Sequence, residues 1–153
     1  MQITRNSLET AAGPSDWFTG DVYIDTIASP ASGSHLSAGS VHFTPGARTA
    51  WHTHPRGQTI FVLEGVGVCQ HRGGPAELIR PGDRVFFEPG EEHWHGAHPN
   101  RFMTHTAFQQ ADERGSPDRL LGPTRQRRRV RTGAPGRGRR TLMRTRAEHR
   151  RNR

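Results

Sequence analysis

The chain has 153 residues, with 22 Arg, no Lys, 14 acidic residues and one Cys, and a formal charge of +8. That length suits one domain. The single thiol excludes an internal disulfide and fits a reducing compartment, and no apolar run approaches the roughly 20 residues of a membrane helix. The charge is uneven. Residues 1–112 hold seven Arg and eleven acids, whereas residues 113–153 hold fifteen Arg and three acids. The basic character therefore belongs to the C-terminal segment alone, and a nucleic-acid-binding domain is not implied. The start MQITRNSLET is too polar for a signal peptide, so a cytoplasmic protein is expected, without membrane partners.

In chain order, residues 1–20 are polar and interrupted by Gly13 and Pro14, which predicts an arm. From Val22 the pattern becomes short strands broken by turns: VYIDTIA, SVHFT, TIFVLEG, VGVCQH, AELI, RVFFE and MTHTAFQ. Turn signals about every 8 to 12 residues, with no helical period between them, predict an all-β sandwich or barrel. The stretch Gly46 to Gly65, GARTAWHTHPRGQTIFVLEG, concentrates the chemistry. His52 and His54 are two apart, so an extended chain turns both to one side. Pro55 and Gly57 then bend the backbone and return Gln58 towards them. His93, in GEEHWHGA, is the expected fourth ligand.

Imidazole nitrogens and an amide oxygen form a mixed site suited to one divalent ion of Mn, Fe, Ni or Zn. Cys69 falls on a separate strand. With Gln58 the ligand set is neutral, so the ion keeps its full charge and favours anionic ligands and an acidified hydroxyl. In MTHTAFQQ, Met103, His105, Ala107 and Gln109 share one face. If that face is interior, His105 is a buried base near the ion. His95 shares a face with His93 and is expected to be a supporting or structural group rather than a ligand, whereas His42 is expected to face away. Gly39, Val41, Phe43, Ile60 and Trp94 are expected to line or back an apolar cavity for a small, partly hydrophobic substrate. Phe61 and Leu63 alternate with Gln58, Ile60 and Val62, which predicts an outward apolar face and a homo-oligomer, a dimer or tetramer.

Gly46, His52, His54, Gln58 and Gly65 match the intervals of the first cupin motif, with Gln58 where Glu is usual. Gly82, Gly90 and His93 match the second, with Glu88 in its Pro position and Ala97 in its Asn position. The chain thus resembles the cupin family over roughly residues 1–112. SDWFTG, GARTAWHTHPRGQT and PGEEHWHGA look like the small bacterial manganese cupins that include the cupin-fold hydroxynitrile lyases. The resemblance implies a double-stranded β-helix and manganese as the first choice of metal. It also implies an active-site role for His105 with Gln109 nearby. The expected activity is a metal-dependent lyase on small α-hydroxynitriles. The alternatives are a dioxygenase or oxidative-cleavage cupin acting on a small aromatic or alkene, and a non-enzymatic metabolite-binding cupin.

Residues 113–153 have too few apolar side chains to order themselves, so a disordered tail is expected. It would make no contribution to core or site and would bind nucleic acid only non-specifically. Thr124 to Arg131 can be back-translated so that the next frame reads Pro-Val-Ser-Ala-Ala-Glu-Tyr, an ending similar to that of the resembling group. The tail is therefore also a candidate out-of-frame C-terminus.

Overall fold

The computed structural model describes residues 1, 3, 5, 9–30, 34–113 and 119–121, and the Thr124 to Arg131 stretch lies outside them. Among the described residues there are thirteen strands and no helix, hence no helix long and apolar enough to cross a membrane. The strands are β1 (Ala11–Ala12), β2 (Phe18–Thr19), β3 (Val22–Ala28), β4 (Leu36–Phe43), β5 (Arg48–Thr49), β6 (His52–Thr53) and β7 (Gln58–Gly65). There follow β8 (Gly67–His71), β9 (Glu77–Ile79), β10 (Arg84–Phe87), β11 (His93–Ala97), β12 (Met103–Gln110) and β13 (Arg119–Leu120).

Two antiparallel sheets face each other. One has the order β1-β3-β4-β12-β7-β10; the other runs β13-β6-β11-β5-β2, with β8 on the far side of β11 and β9 beyond it. Period-two alternation explains which side chains enter the space between them. On β7, Gln58, Ile60 and Val62 are buried while Phe61 and Leu63 are exposed. On β12, Met103, His105 and Ala107 are buried. Phe43, Ile60, Val62, Cys69, Ile79, Phe87 and Met103 belong to one apolar cluster between the sheets. Burial pushes the Cys69 thiol up to about 11, so it remains a neutral packing group.

A bulge tunes this arrangement. Thr104 pairs with Glu64 of β7, but the next residue, His105, pairs with Val62. Leu63 is thus the extra residue, and skipping it restores agreement between two strands that would otherwise place inward His105 opposite an outward side chain. His105 is aimed into the interior by this one-residue offset.

Two stretches differ from expectation. The N-terminal arm contributes strands: Ala11 and Ala12 pair with Ile24 and Tyr23, and Phe18 and Thr19 pair with Thr49 and Arg48. The segment after residue 112 contributes as well. Arg119 and Leu120 pair with Thr53 and His52, which corrects the expectation that this segment makes no contact near the site.

The turn that returns Gln58 depends on Gly57. Its amide donates to the His54 carbonyl at 3.3 Å; its φ is +78°, and a Cβ there would lie 2.7 Å from the Phe87 carbonyl oxygen. Gly57→Ala is therefore expected to cost about 2 kcal/mol or more, from left-handed strain plus the clash. The check is a lower urea midpoint at unchanged m-value.

Candidate metal centre

The inward faces of β6, β7 and β11 meet below a cavity of about 340 Å³. His52 is placed by β6, which lies directly across from His93 on β11. Their rings are 4.3 Å apart between centroids, and His54 stands 4.9 Å from His52 and 5.4 Å from His93. Gln58 enters at the start of β7, with its Oε1 3.3 Å from His93 Nε2. The amide is held by Gln109, whose Oε1 accepts from Gln58 Nε2 at 3.3 Å. The four residues named as ligands from spacing are thus brought to one place, all buried.

The donor set fits a divalent ion. His52 and His93 each direct Nδ1 at a backbone carbonyl, that of Ala50 at 2.9 Å and that of Glu91 at 2.8 Å. Such bonds fix the tautomer with the proton on Nδ1 and leave the Nε2 lone pairs available for a metal. The His93 Nε2 to Gln58 Oε1 spacing is long for a hydrogen bond. It is close to the roughly 3 Å that separates adjacent donors about 2.1 Å from one ion. Phe87 stacks on His93 at 3.7 Å with the planes 8° apart, which fixes the ring from behind. Burial, then the neighbouring His52, lowers His93 to about 3, so its imidazole is neutral and able to ligate at ordinary pH.

His95 is closer than expected. It lines the cavity, and one ligand atom each of His52, His93 and His95 lie within 4.8 Å of one another. Its Nδ1 lies 3.2 Å from Nε2 of His105. Both rings are buried, and that burial lowers His105 to about 4 and His95 well below its ordinary value. The wall of the cavity therefore carries a neutral, hydrogen-bonded imidazole pair. The spacing of His95 from His93 already put both on one face; its contact with His105, across from the other sheet, has no local signal.

Among the residues expected around the cavity, Gly39, Val41, Phe43 and Gln109 line it together with His52, His54, Gln58 and His105. Ile60 backs the cavity without lining it, packed in one cluster with Val41 and Phe43, and Trp94 does neither. Trp94 points the other way, because it lies between two inward histidines on a strand; its Nε1 donates to Gln70 at 2.9 Å and Arg48 lies over its ring. In their place the N-terminal segment supplies Pro14, Trp17 and Phe18, residues that the reading of an arm had left out. His42 faces away, bonded to Thr104 at 2.8 Å and stacked on Phe102. No Asp or Glu lines the cavity among the described residues.

Comparison with known proteins places this geometry among relatives. Residues 39–103 match the family described as the cupin domain. Over 111 residues the chain is 52% identical to an (R)-mandelonitrile lyase from Granulicella tundricola, covering 72% of this chain and 85% of that protein. A cupin-like protein from Thermotoga maritima is similar in structure, with a TM-score of 0.69 and 37% identity over 77% of this chain and 90% of that one. The polyketide cyclase RemF from Streptomyces resistomycificus has a TM-score of 0.66 at 17% identity, covering 81% of this chain and 87% of that one. At that identity the likeness concerns the fold alone.

Proposed function

The chain belongs to the cupin family, and from that premise we propose that it is a metal-dependent lyase for small α-hydroxynitriles, interconverting them with an aldehyde and hydrogen cyanide. His52, His54, Gln58 and His93 would hold one divalent ion, manganese in the first instance. The observation that carries this reading is the absence of any carboxylate among the described residues lining the cavity. A neutral wall leaves the charge of a bound cation uncompensated, which suits a reaction that releases an anion. The 52% identity to a mandelonitrile lyase supports the same reaction class.

A bound divalent ion would supply positive charge at the cavity floor, polarising a substrate hydroxyl or nitrile and stabilising departing cyanide. The chain's own residues do the rest. Trp17, Phe18, Val41 and Phe43 give apolar surface for an aliphatic or aromatic substituent and keep water from it. His105 takes the hydroxyl proton as the carbon–carbon bond breaks, the carbonyl forms from the oxygen's electron pair, and the bond pair leaves with cyanide. The hydrogen bond between His105 Nε2 and His95 Nδ1 spreads the resulting positive charge over two rings. Because His105 is held at about 4, it gives the proton up readily to cyanide, which restores the neutral pair. Gln109 keeps the Gln58 oxygen directed at His93.

Elemental analysis of the purified protein, followed by cyanide release from mandelonitrile measured beside oxygen uptake, tests the proposal. Cyanide release that depends on the metal is the expected result; oxygen consumption without it would assign the site to a dioxygenase. Homo-oligomerisation is part of the same proposal. Phe61, Leu63, Phe86 and Phe108 are 40–50% exposed on the outer face of the six-stranded sheet, an apolar area suited to a second copy. The expected solution mass at micromolar concentration is at least twice that of the chain, and Phe61→Glu with Phe108→Glu should reduce it to one.

A further inference from the structure

Strand β6 consists of His52 and Thr53 only, so it has few ladder hydrogen bonds with which to hold itself in place. It nevertheless carries one of the proposed metal donors. On its inner edge His52 is opposite His93. On its outer edge Leu120 pairs with His52 and Arg119 with Thr53, and the Leu121 amide donates to the Trp51 carbonyl at 3.0 Å. Neighbouring clasps act on the same stretch. The Ala50 amide donates to the Trp17 carbonyl at 2.7 Å, and Arg72, paired with Glu92, lies 4.1 Å from the Trp51 ring centroid. The Ala50 carbonyl in turn orients the His52 ring through Nδ1.

We infer that residues 119–121 are positioning residues for the metal centre: by completing the outer edge of β6 they hold His52 opposite His93 and so set how long a metal ion is retained. The inference rests on the metal reading proposed above. Without β13 the His52 strand would become a two-residue sheet edge, its outward backbone groups left to water. Edges with so few bonds open at a small fraction of the cost of global unfolding. A displacement of about 1 Å in one donor is enough to weaken a site built from several. The segment that composition assigned to a solvated basic tail thus supports the centre through its backbone, irrespective of its charge.

The test uses the full chain. Leu121→Pro removes the amide that donates to Trp51 and biases Leu120 towards extended backbone, which a strand already has, while Leu121→Ala keeps that amide and serves as the control. Two quantities are read: hydrogen exchange of the backbone amides of residues 51–53 in the metal-free chain, and the rate at which manganese-loaded protein surrenders its metal to a chelator. With Leu121→Pro, exchange is expected to rise about tenfold, the effect of losing about 1.4 kcal/mol of local stability, and metal loss about 10- to 100-fold. Leu121→Ala should match the parent in both. Equal exchange and equal metal loss for the proline variant would overturn the inference, as would faster metal loss with unchanged exchange. If the parent chain took up no metal, the metal reading would fail and with it the retention clause, while the exchange experiment would still decide whether β13 holds β6.

Discussion

Replacing His93 with Ala is expected to abolish stable metal binding and, with it, any cyanohydrin activity. His93 is completely buried, its Nε2 is 3.3 Å from Gln58 Oε1, and Phe87 covers its ring. Removing the imidazole takes away a donor whose ring the Glu91 carbonyl and Phe87 hold in place, and a water molecule in the gap would be a weaker, unanchored substitute. Loss of groups that merely orient a ligand typically costs 10- to 100-fold in metal affinity, so loss of the ligand itself should exceed about a hundredfold. Elemental analysis after dialysis should then find the His93→Ala protein without metal, and Gln58→Glu, which keeps an oxygen donor, should remain loaded. The added carboxylate should nevertheless slow cyanide release by partly cancelling the charge at the cavity floor. A stoichiometrically loaded His93→Ala protein would remove His93 from the ligand set.

The second large effect concerns His105. His105→Gln should lower turnover by about 10²- to 10⁴-fold, the usual contribution of a positioned base, with metal content unchanged. It should also flatten the response of stability to acid. In the folded chain burial holds His105 at about 4 against an ordinary 6.5. Between these values the unfolded chain binds a proton that the folded chain does not, so stability falls as pH drops from 6.5 to about 4. At about 1.4 kcal/mol per unit, the loss is about 3 kcal/mol. Urea titrations of both proteins at pH 7 and pH 4, with chelator present to keep metal release out of the comparison, should show the glutamine variant losing less by about that amount. Parallel losses would mean that His105 protonates within the fold as freely as in water.

These expectations rest on residues whose placement was largely legible before the structure. Alternation along β7 puts Gln58, Ile60 and Val62 inward and alternation along β12 puts Met103 and His105 on one face, and all five are buried. The same rule, applied to His93 and His95 on one face, places Trp94 on the other, against its expected position at the cavity. Both being inward forces the residue between them outward. The place of His95 is not legible locally, because its partner, His105, is ten residues away on the other sheet and no local pattern announces a contact across a core. Strands of two residues were illegible in principle. β2 and β13 are shorter than the window in which alternation can be recognised, so from sequence Phe18 belongs to an arm and Leu120 to a tail. Composition erred for the same reason: it averages over fifteen arginines and cannot isolate three residues whose backbone pairs.

The offset at Leu63 has a consequence for descent. His105 faces the interior opposite Val62 because β7 contains one residue more than its partner between the pairs that flank the bulge. Losing Leu63 would leave every remaining side chain chemically unchanged, yet it would alter which faces of β7 and β12 agree. The number of residues between Gln58 and Gly65 is therefore expected to be more tightly constrained than the identity of residue 59, whose side chain points away from the cavity. Length changes are better absorbed in the β8–β9 turn, where Gly73 has open space around it. Along β7 the site depends on how many residues there are as well as on which they are.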